Sequence, residues 1–246
     1  STDANCYNGC DGTVSATSSG GTAPYTYAWP GLGSGQNQLN VCAGTYTVNI
    51  VDSNGCAGSI GVTIGEPAAL SVIINAQNDA SCNTSCDGDA TALASGGMGA
   101  YAYSWNTSAT GSTIDSLGAG TYSVAVTDSM GCTISDSVII SEPSVLQDTA
   151  VGTDVLCNGD STGSIDLTIS GGIAPYIVLW VPTSDTTEDI SGLGFGVYTY
   201  VVIDSNNCLV SGNVFIDQPT LPLTLVLTPG DATCNGGTDG SMDLSV

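Results

Sequence analysis

Apolar and polar residues alternate along this chain in short runs, and each run stops at glycine, asparagine, aspartate or proline. From Tyr122 to Asp128 the alternation is clean: Tyr122, Val124 and Val126 fall on one face. A period of two is the mark of a strand with one face in a core. Tyr101 to Trp105 alternates in the same way. Val72-Ile73-Ile74, Thr91 to Ala94 and Ile134 to Ile140 are further strand candidates. The three- and four-residue spacing of an amphipathic helix is absent throughout. Short strands between turn residues predict an all-β protein built from β-sandwiches.

The runs recur at a fixed interval. Cys56, Cys132 and Cys208 are spaced by 76 and 76, Tyr46, Tyr122 and Tyr198 by 76 and 76, and Trp29, Trp105 and Trp180 by 76 and 75. Gly20-Gly21, Gly96-Gly97 and Gly171-Gly172 keep the same phase, as do Glu66-Pro67, Glu142-Pro143 and Gln218-Pro219. Units that end at the Glu/Gln-Pro pair divide the chain into four parts. Residues 1–67 form a repeat without its opening strand. Residues 68–143 and 144–219 form complete repeats, and residues 220–246 start a fourth that stops mid-strand. This layout leads to the expectation that the polypeptide continues in both directions. A 76-residue sandwich is marginal on burial alone, and disulfides would meet that need.

Composition narrows the function. The 246 residues include no Lys, Arg or His against 23 Asp and Glu, a formal net charge of −23. Nucleic acid is excluded as a partner, because binding phosphate takes Lys or Arg. Anionic membrane surfaces repel such a chain. Ser-His-Asp and Cys-His catalysis, Schiff-base chemistry and a Walker A loop all lack a required residue. With hydrophobic residues at 41%, the chain has enough apolar surface to build cores. No apolar run approaches the ~18–20 residues of a membrane-spanning helix. Ten cysteines fit an oxidising, extracellular setting.

The recurring residues have separable roles. Trp29, Trp105 and Trp180 are expected in the sandwich cores; a sugar-stacking platform is the alternative. Tyr46, Tyr122 and Tyr198 each follow a glycine and open an alternating strand, which predicts a tyrosine corner with the hydroxyl bonded back to the preceding turn. Cys6, Cys82, Cys157 and Cys234 open the units, and Cys56, Cys132 and Cys208 lie in a late turn. The simplest pairing joins Cys6 to Cys56, Cys82 to Cys132 and Cys157 to Cys208. A rival scheme joins the opening cysteine of one unit to the late cysteine of the next, and spacing does not choose between them. Cys10 and Cys42 occur together in the first unit and are both absent from the third, which suggests a bridge. Cys86 matches Cys10, but its expected partner position is Gly118. Asp52, Asp128 and Asp204 recur in turns, and Asp87-Gly88-Asp89 is the single Asp-x-Asp. They are candidate Ca²⁺ ligands, with solvated turn residues as the plainer reading. No catalytic signature is present, so no enzymatic activity is expected.

In order, these motifs resemble the SprB-type repeat of Bacteroidota cell-surface adhesins, which is similar to PKD-like, immunoglobulin-like sandwiches. The resemblance rests on Cys6-Tyr7-Asn8-Gly9, Gly20-Gly21-Thr22-Ala23-Pro24-Tyr25, Trp29, Cys42-Ala43-Gly44-Thr45-Tyr46 and Asp52-Ser53-Asn54-Gly55-Cys56. The second unit departs by lacking the proline, and the third by Asn207 in place of glycine. The resemblance implies long surface proteins exported by the type IX secretion system and serving gliding, attachment or cell contact, including filaments. It implies no cofactor and no catalytic residues. The expected function is a structural segment of an extracellular adhesin or homo-oligomeric filament, reaching polysaccharide or other cells through parts outside this sequence. The alternative is that the repeat is itself a Ca²⁺-dependent polysaccharide- or protein-binding module.

Overall fold

The computed structural model describes residues 1–230, 234–235 and 238–245, and every regular element in them is a strand. The first repeat contains β1 (Gly12–Ser15), β2 (Thr26–Trp29), β3 (Gly33–Ser34), β4 (Asn37–Val41), β5 (Gly44–Val51) and β6 (Ala57–Ile64). The second contains β7 (Ser71–Asn78), β8 (Gly88–Ser95), β9 (Ala102–Trp105), β10 (Thr113–Leu117), β11 (Gly120–Thr127) and β12 (Thr133–Ile140). The third contains β13 (Gln147–Thr153), β14 (Gly163–Ser170), β15 (Ile177–Val181), β16 (Ile190–Leu193), β17 (Gly196–Ile203) and β18 (Leu209–Ile216). Two more strands, β19 (Val226–Gly230) and β20 (Ser241–Ser245), pair with each other.

Each complete repeat is a pair of antiparallel three-stranded sheets. Repeat 2 has the orders β10-β8-β7 and β12-β11-β9, and repeat 3 has β13-β14-β16 and β15-β17-β18. Repeat 1 has β3-β2-β5-β6 opposite a two-stranded sheet of β1 and β4. One buried cluster fills each sandwich. In repeat 2 the inward side chains of β8 are Ala90, Ala92 and Ala94, while Leu93 faces out at 53% exposure. Small residues there make room for Trp105 from the opposite sheet, which is 3% exposed. The alternation read for Tyr122 to Thr127 holds, with Val124 and Val126 fully buried. Two compact units emerge from the chain's contacts: Ser1–Ala80 with Thr84–Ser141, and Ser81–Asn83 with Glu142–Val246. Among the described residues no helix is long and apolar enough to cross a membrane.

Tryptophan and tyrosine anchor the cores. The indole N–H of Trp29 donates to the Gly35 carbonyl at 3.0 Å, that of Trp105 to Gly111 at 2.8 Å, and that of Trp180 to Thr187 at 3.0 Å. Their burial and bonded N–H groups match the core role and leave no open face for a sugar. The Tyr46 hydroxyl donates to the Cys42 carbonyl at 3.0 Å, Tyr122 to Gly118 at 3.0 Å and Tyr198 to Gly194 at 3.1 Å. Each closes the corner in front of its own strand. A second set of tyrosines does the same for the glycine pairs. Tyr25, Tyr101 and Tyr176 donate to the carbonyls of Gly20, Gly96 and Gly171.

Candidate functional site

The features with the most chemistry are the opening loop and the late turn of each repeat. The late turn is built around one carboxylate. Asp52 accepts the backbone N–H of Asn54 at 2.9 Å, of Cys56 at 2.8 Å and, across the sheet, of Thr22 at 3.0 Å. Asp128 accepts from Met130, Cys132 and Met98, and Asp204 from Asn206, Cys208 and Ile173, at 2.8–2.9 Å. The carboxylate thus fixes the backbone of the cysteine four residues on and ties the turn to the glycine-pair loop. Each turn also needs one residue in the left-handed region: Gly55 (φ 87°), Gly131 (φ 86°) and Asn207 (φ 66°). Asparagine tolerates that conformation, so the third repeat's departure from glycine leaves the turn unchanged.

These hydrogen bonds set the electrostatics. Backbone donation from Thr22 first, then Cys56 and Asn54, holds the Asp52 carboxyl below its ordinary value. Donation led by Met98 does the same for Asp128. Burial pushes Asp204 up, and donation from Ile173, Cys208 and Asn206 outweighs it, so its carboxyl also lies below the ordinary range. The Ca²⁺ expectation concerns these residues with Asp87 and Asp89. Asp87 accepts from Ser85 at 2.6 Å and Asp89 from Asn78 at 2.8 Å. Among the described residues no three Asp, Glu or Cys side chains gather as a metal site. The carboxylates are engaged separately: Asp52, Asp128 and Asp204 by their own turns and the glycine-pair loops, Asp87 by Ser85, and Asp89 by Asn78 of the neighbouring strand.

The opening loop is tied to the far end of its own repeat. The N–H of Asn8 donates to the Glu66 carboxylate at 2.6 Å. Asn83 donates to Glu142 at 3.0 Å and to the Pro143 carbonyl at 3.2 Å, and Asn158 donates to the Pro219 carbonyl at 2.8 Å. The Glu/Gln-Pro pair therefore acts as a latch.

This latch decides the disulfides. Cys6 bonds Cys132 inside the first compact unit, and Cys82 bonds Cys208 inside the second. The Cα atoms are 5.8 and 5.7 Å apart, within the usual span of a disulfide. The pairing of Cys6 with Cys56, Cys82 with Cys132 and Cys157 with Cys208 is corrected: the opening cysteine of one repeat joins the late cysteine of the next. The physical reason lies in one strand. Cys56 precedes β6 and Glu66 follows it, so the two ends stand roughly 26 Å apart at about 3.3 Å per residue. An opening loop latched to Glu66 cannot reach Cys56. The same strand separates Cys132 from Glu142 and Cys208 from Gln218. The nine residues between cysteine and Glu/Gln-Pro, filled by a strand, are visible in the sequence, but they exclude the in-repeat bridge only once the latch is known. Around each bond the turn reads the loop's backbone. Asn206 donates to the Ser81 carbonyl at 2.9 Å, and the sulfurs of Cys208 and Cys132 lie 3.4 Å from the carbonyls of Ser81 and Asn5. Cys10 bonds Cys42 within repeat 1, while Cys56, Cys86, Cys157 and Cys234 are exposed thiols.

A SprB repeat model matches the chain at residues 1–33, 74–110 and 149–180. Each match runs from before the opening cysteine to the core tryptophan or just past it. No curated protein matches the chain. Among solved structures, the three N-terminal domains of the Hoc capsid protein of bacteriophage RB49 align at 15% identity, over 88% of this chain and 97% of that one, with a TM-score of 0.42. The eight N-terminal Ig domains of the Down syndrome cell adhesion molecule align at 13% identity, over 75% and 30%, with a TM-score of 0.41. Domains 1–6 of the surface layer protein SbsC align at 14% identity, over 83% and 36%, with a TM-score of 0.29. The three matches carry the same motifs in the same order, one on each of three all-β sandwiches, consistent with a SprB-type repeat region.

Proposed function

We propose that this chain is a structural segment of a long secreted surface protein, an adhesin or extracellular filament used for attachment, gliding or contact between cells. The export route that fits is type IX secretion in Bacteroidota. One observation carries the reading: the two long disulfides, Cys6–Cys132 and Cys82–Cys208, join repeat to repeat rather than closing a repeat on itself. A bond of that kind does nothing for a ligand site and everything for the continuity of an array. Disulfides form and persist in oxidising compartments, which supports a location outside the cytoplasm. The charged side chains agree with a structural role, since each of the three late-turn carboxylates is held by backbone N–H groups of its own turn and of the neighbouring glycine-pair loop. A net charge of −23 keeps such strands apart and soluble.

Electron microscopy of unpermeabilised cells labelled with antibody to this chain tests the reading. Label on thin strands outside the envelope is the expected result. Label that appears only after the envelope is opened would sink it. Titrating calcium against the melting temperature tests the binding-module alternative, and an unchanged transition is expected.

A further inference from the structure

One sheet of repeat 3 is apolar on both faces. The sheet β15-β17-β18 turns Val178, Trp180, Tyr198, Tyr200 and Val202 into the core. Alternation then sends Ile177, Leu179, Val181, Val197, Leu209 and Phe215 outward, and they are 47–69% exposed. The register gathers them into one surface. Ile203 lies between Ile177 and Leu209, Leu179 pairs with Val201, and Val197 pairs with Phe215. Phe215 meets Phe195 edge to face, with 5.4 Å between ring centroids. Single exposed apolar residues are normal on a soluble protein, whereas a large contiguous patch marks a contact. Taking roughly 150–250 Å² for a large side chain, these six and Phe195 together present roughly 600–900 Å². The largest patch on a typical monomer is about 300–600 Å².

The same sheet in the other two repeats shows that this surface is a property of repeat 3 and not a seam of the array. The counterpart positions include Thr26, Ala28, Thr45 and Thr63 in repeat 1, and Ala102, Ser104, Thr121 and Thr133 in repeat 2. All eight are exposed, although another repeat follows each of these two in the chain. A following repeat therefore neither covers this sheet nor asks apolar side chains of it.

The chemistry of the surface selects its occupant. Its polar members are Thr199, Ser211 and Asn213, two hydroxyls and an amide that both donate and accept. Such groups pair with their own kind and call for no complementary charge. Among the described residues no Asp or Glu lies on this face, whereas the outward side of the opposite sheet carries Asp166. In a chain of net charge −23 without a single Lys, Arg or His, most approaches of two copies bring carboxylates together. Contact through this sheet buries none. A cationic partner would be drawn to the carboxylates instead, and a sugar would leave its hydroxyls unpaired against aliphatic side chains.

We propose that two copies of this chain dock through the outer face of β15-β17-β18, sheet against sheet, about a two-fold axis. A two-fold contact uses the same patch on both copies, and packed sheets lie about 10 Å apart with their side chains interdigitated. An axis across the strands at the middle of the face sets Ser211 opposite Asn213 of the second copy and Phe215 opposite Leu209 of the second copy. Hydroxyl then meets amide at the centre, and apolar side chains meet at both ends. The area each copy offers is close to the roughly 800 Å² that a partner contributes to a standard interface. Charge holds copies apart elsewhere, so the contact is a lateral staple at the third repeat. It adds a side-to-side contact to the structural role proposed above and stands or falls without it.

The test is sedimentation velocity of the 246-residue chain over a range of concentrations, with its free thiols alkylated so that no new disulfide joins copies. A reversible monomer–dimer equilibrium is expected, and added NaCl should strengthen it by screening the carboxylates. Phe215→Glu and Leu179→Glu, both at exposed positions, should each weaken the dimer at least about tenfold and leave the melting curve unchanged. Ile139→Glu, at the counterpart of Phe215 in repeat 2, should leave the dimer as it is. A chain that stays monomeric to its solubility limit overturns the proposal, as does a dimer that Phe215→Glu and Leu179→Glu leave intact. A monomeric chain that floats with phosphatidylcholine vesicles, and no longer does so as Phe215→Glu, assigns the face to a lipid surface and overturns it too. Surface labelling of cells is untouched by any of these results, so the structural role and the lateral contact fail separately.

Discussion

Repeats 1 and 3 are the same sandwich held together by different means. Repeat 3 buries eleven core residues, among them Trp180, Tyr198, Tyr200, Ile165 and Leu167. Repeat 1 buries six, and one of those is Ala16. Full burial of a large apolar side chain contributes about 1.5–3 kcal/mol, so the difference is several kcal/mol of burial. Repeat 1 has instead the Cys10–Cys42 bridge across 32 residues, a bond of a class that contributes about 2–4 kcal/mol. The two cysteines are lost where the core is large and kept where it is small. Repeat 2 stands between them, with ten buried residues of which three are alanines, and with Cys86 facing Gly118. The comparison teaches that the extra cross-link lies in the sandwich with the fewest buried core side chains.

The largest expected effect is on the core. Trp180→Ala should cost about 3–5 kcal/mol and unfold repeat 3, which has no bridge across its own sandwich. Trp29→Ala should leave repeat 1 partly protected by its bonds. Hydrogen exchange followed repeat by repeat separates the outcomes, and equal loss of protection in both repeats would break the comparison. Next comes the bridge itself. Replacing Cys10 and Cys42 with Ser should lower repeat 1 by about 2–4 kcal/mol and leave repeat 3 unchanged in urea unfolding. The mirror experiment is Gly118→Cys. The Cys86 sulfur lies 3.4 Å from where its Cβ would sit, so a new bridge should form, seen as the loss of two hydrogens in the intact mass, and repeat 2 should gain stability.

Smaller effects come from pH. The late-turn carboxylates have folded pKa values below 3.8. A depressed folded pKa gives stability that is present above the unfolded value and lost as pH falls through the folded one. All three repeats should therefore weaken below about pH 4 by this linkage, and Asp→Asn at positions 52, 128 or 204 should flatten that acid limb for its own repeat. On the alkaline side the group is Tyr200 of repeat 3. Burial pushes the Tyr200 hydroxyl up from 10.0 to about 12, with its hydrogen bond to Asp148 adding to the shift. A raised folded pKa gives stability that is present below the unfolded value and lost as pH rises through the folded one. Repeat 3 should have this alkaline limb, read by tyrosinate absorbance. The smallest effect is at the corners. Tyr198→Phe and Tyr46→Phe should each cost about 0.5–1.5 kcal/mol, and more at Tyr198, which is 8% exposed, than at half-buried Tyr46.

The strands with clean alternation, the core tryptophans and the tyrosine corners could all be read before any coordinates, because each is a local pattern. β10 escaped because Thr113–Leu117 is mostly polar and Ser116 adopts φ 58°, which breaks the period. The disulfide partners escaped for a different reason. Pairing depends on which end of a strand a loop is latched to, and the latch runs from Asn8 to Glu66 across most of a repeat. The glycine pairs were legible as turns, but not as clearance for a passing carbonyl, since that contact comes from a segment about 27 residues earlier in the chain.

The two long disulfides overlap in sequence, with Cys82 lying inside the loop that Cys6 and Cys132 close. Under tension this changes the route by which force crosses the array. Pull passes from Cys6 straight to Cys132, runs backward through repeat 2 to Cys82, and leaves at Cys208. Even with every strand unravelled, the taut path between Cys6 and Cys208 is about 50 residues rather than about 200, or roughly 170 Å rather than 700 Å at about 3.4 Å per residue. An oxidised array is therefore a tether with a short leash. It can lose its fold under load and still not pay out most of its length, and a reductant would switch it from inextensible to slack.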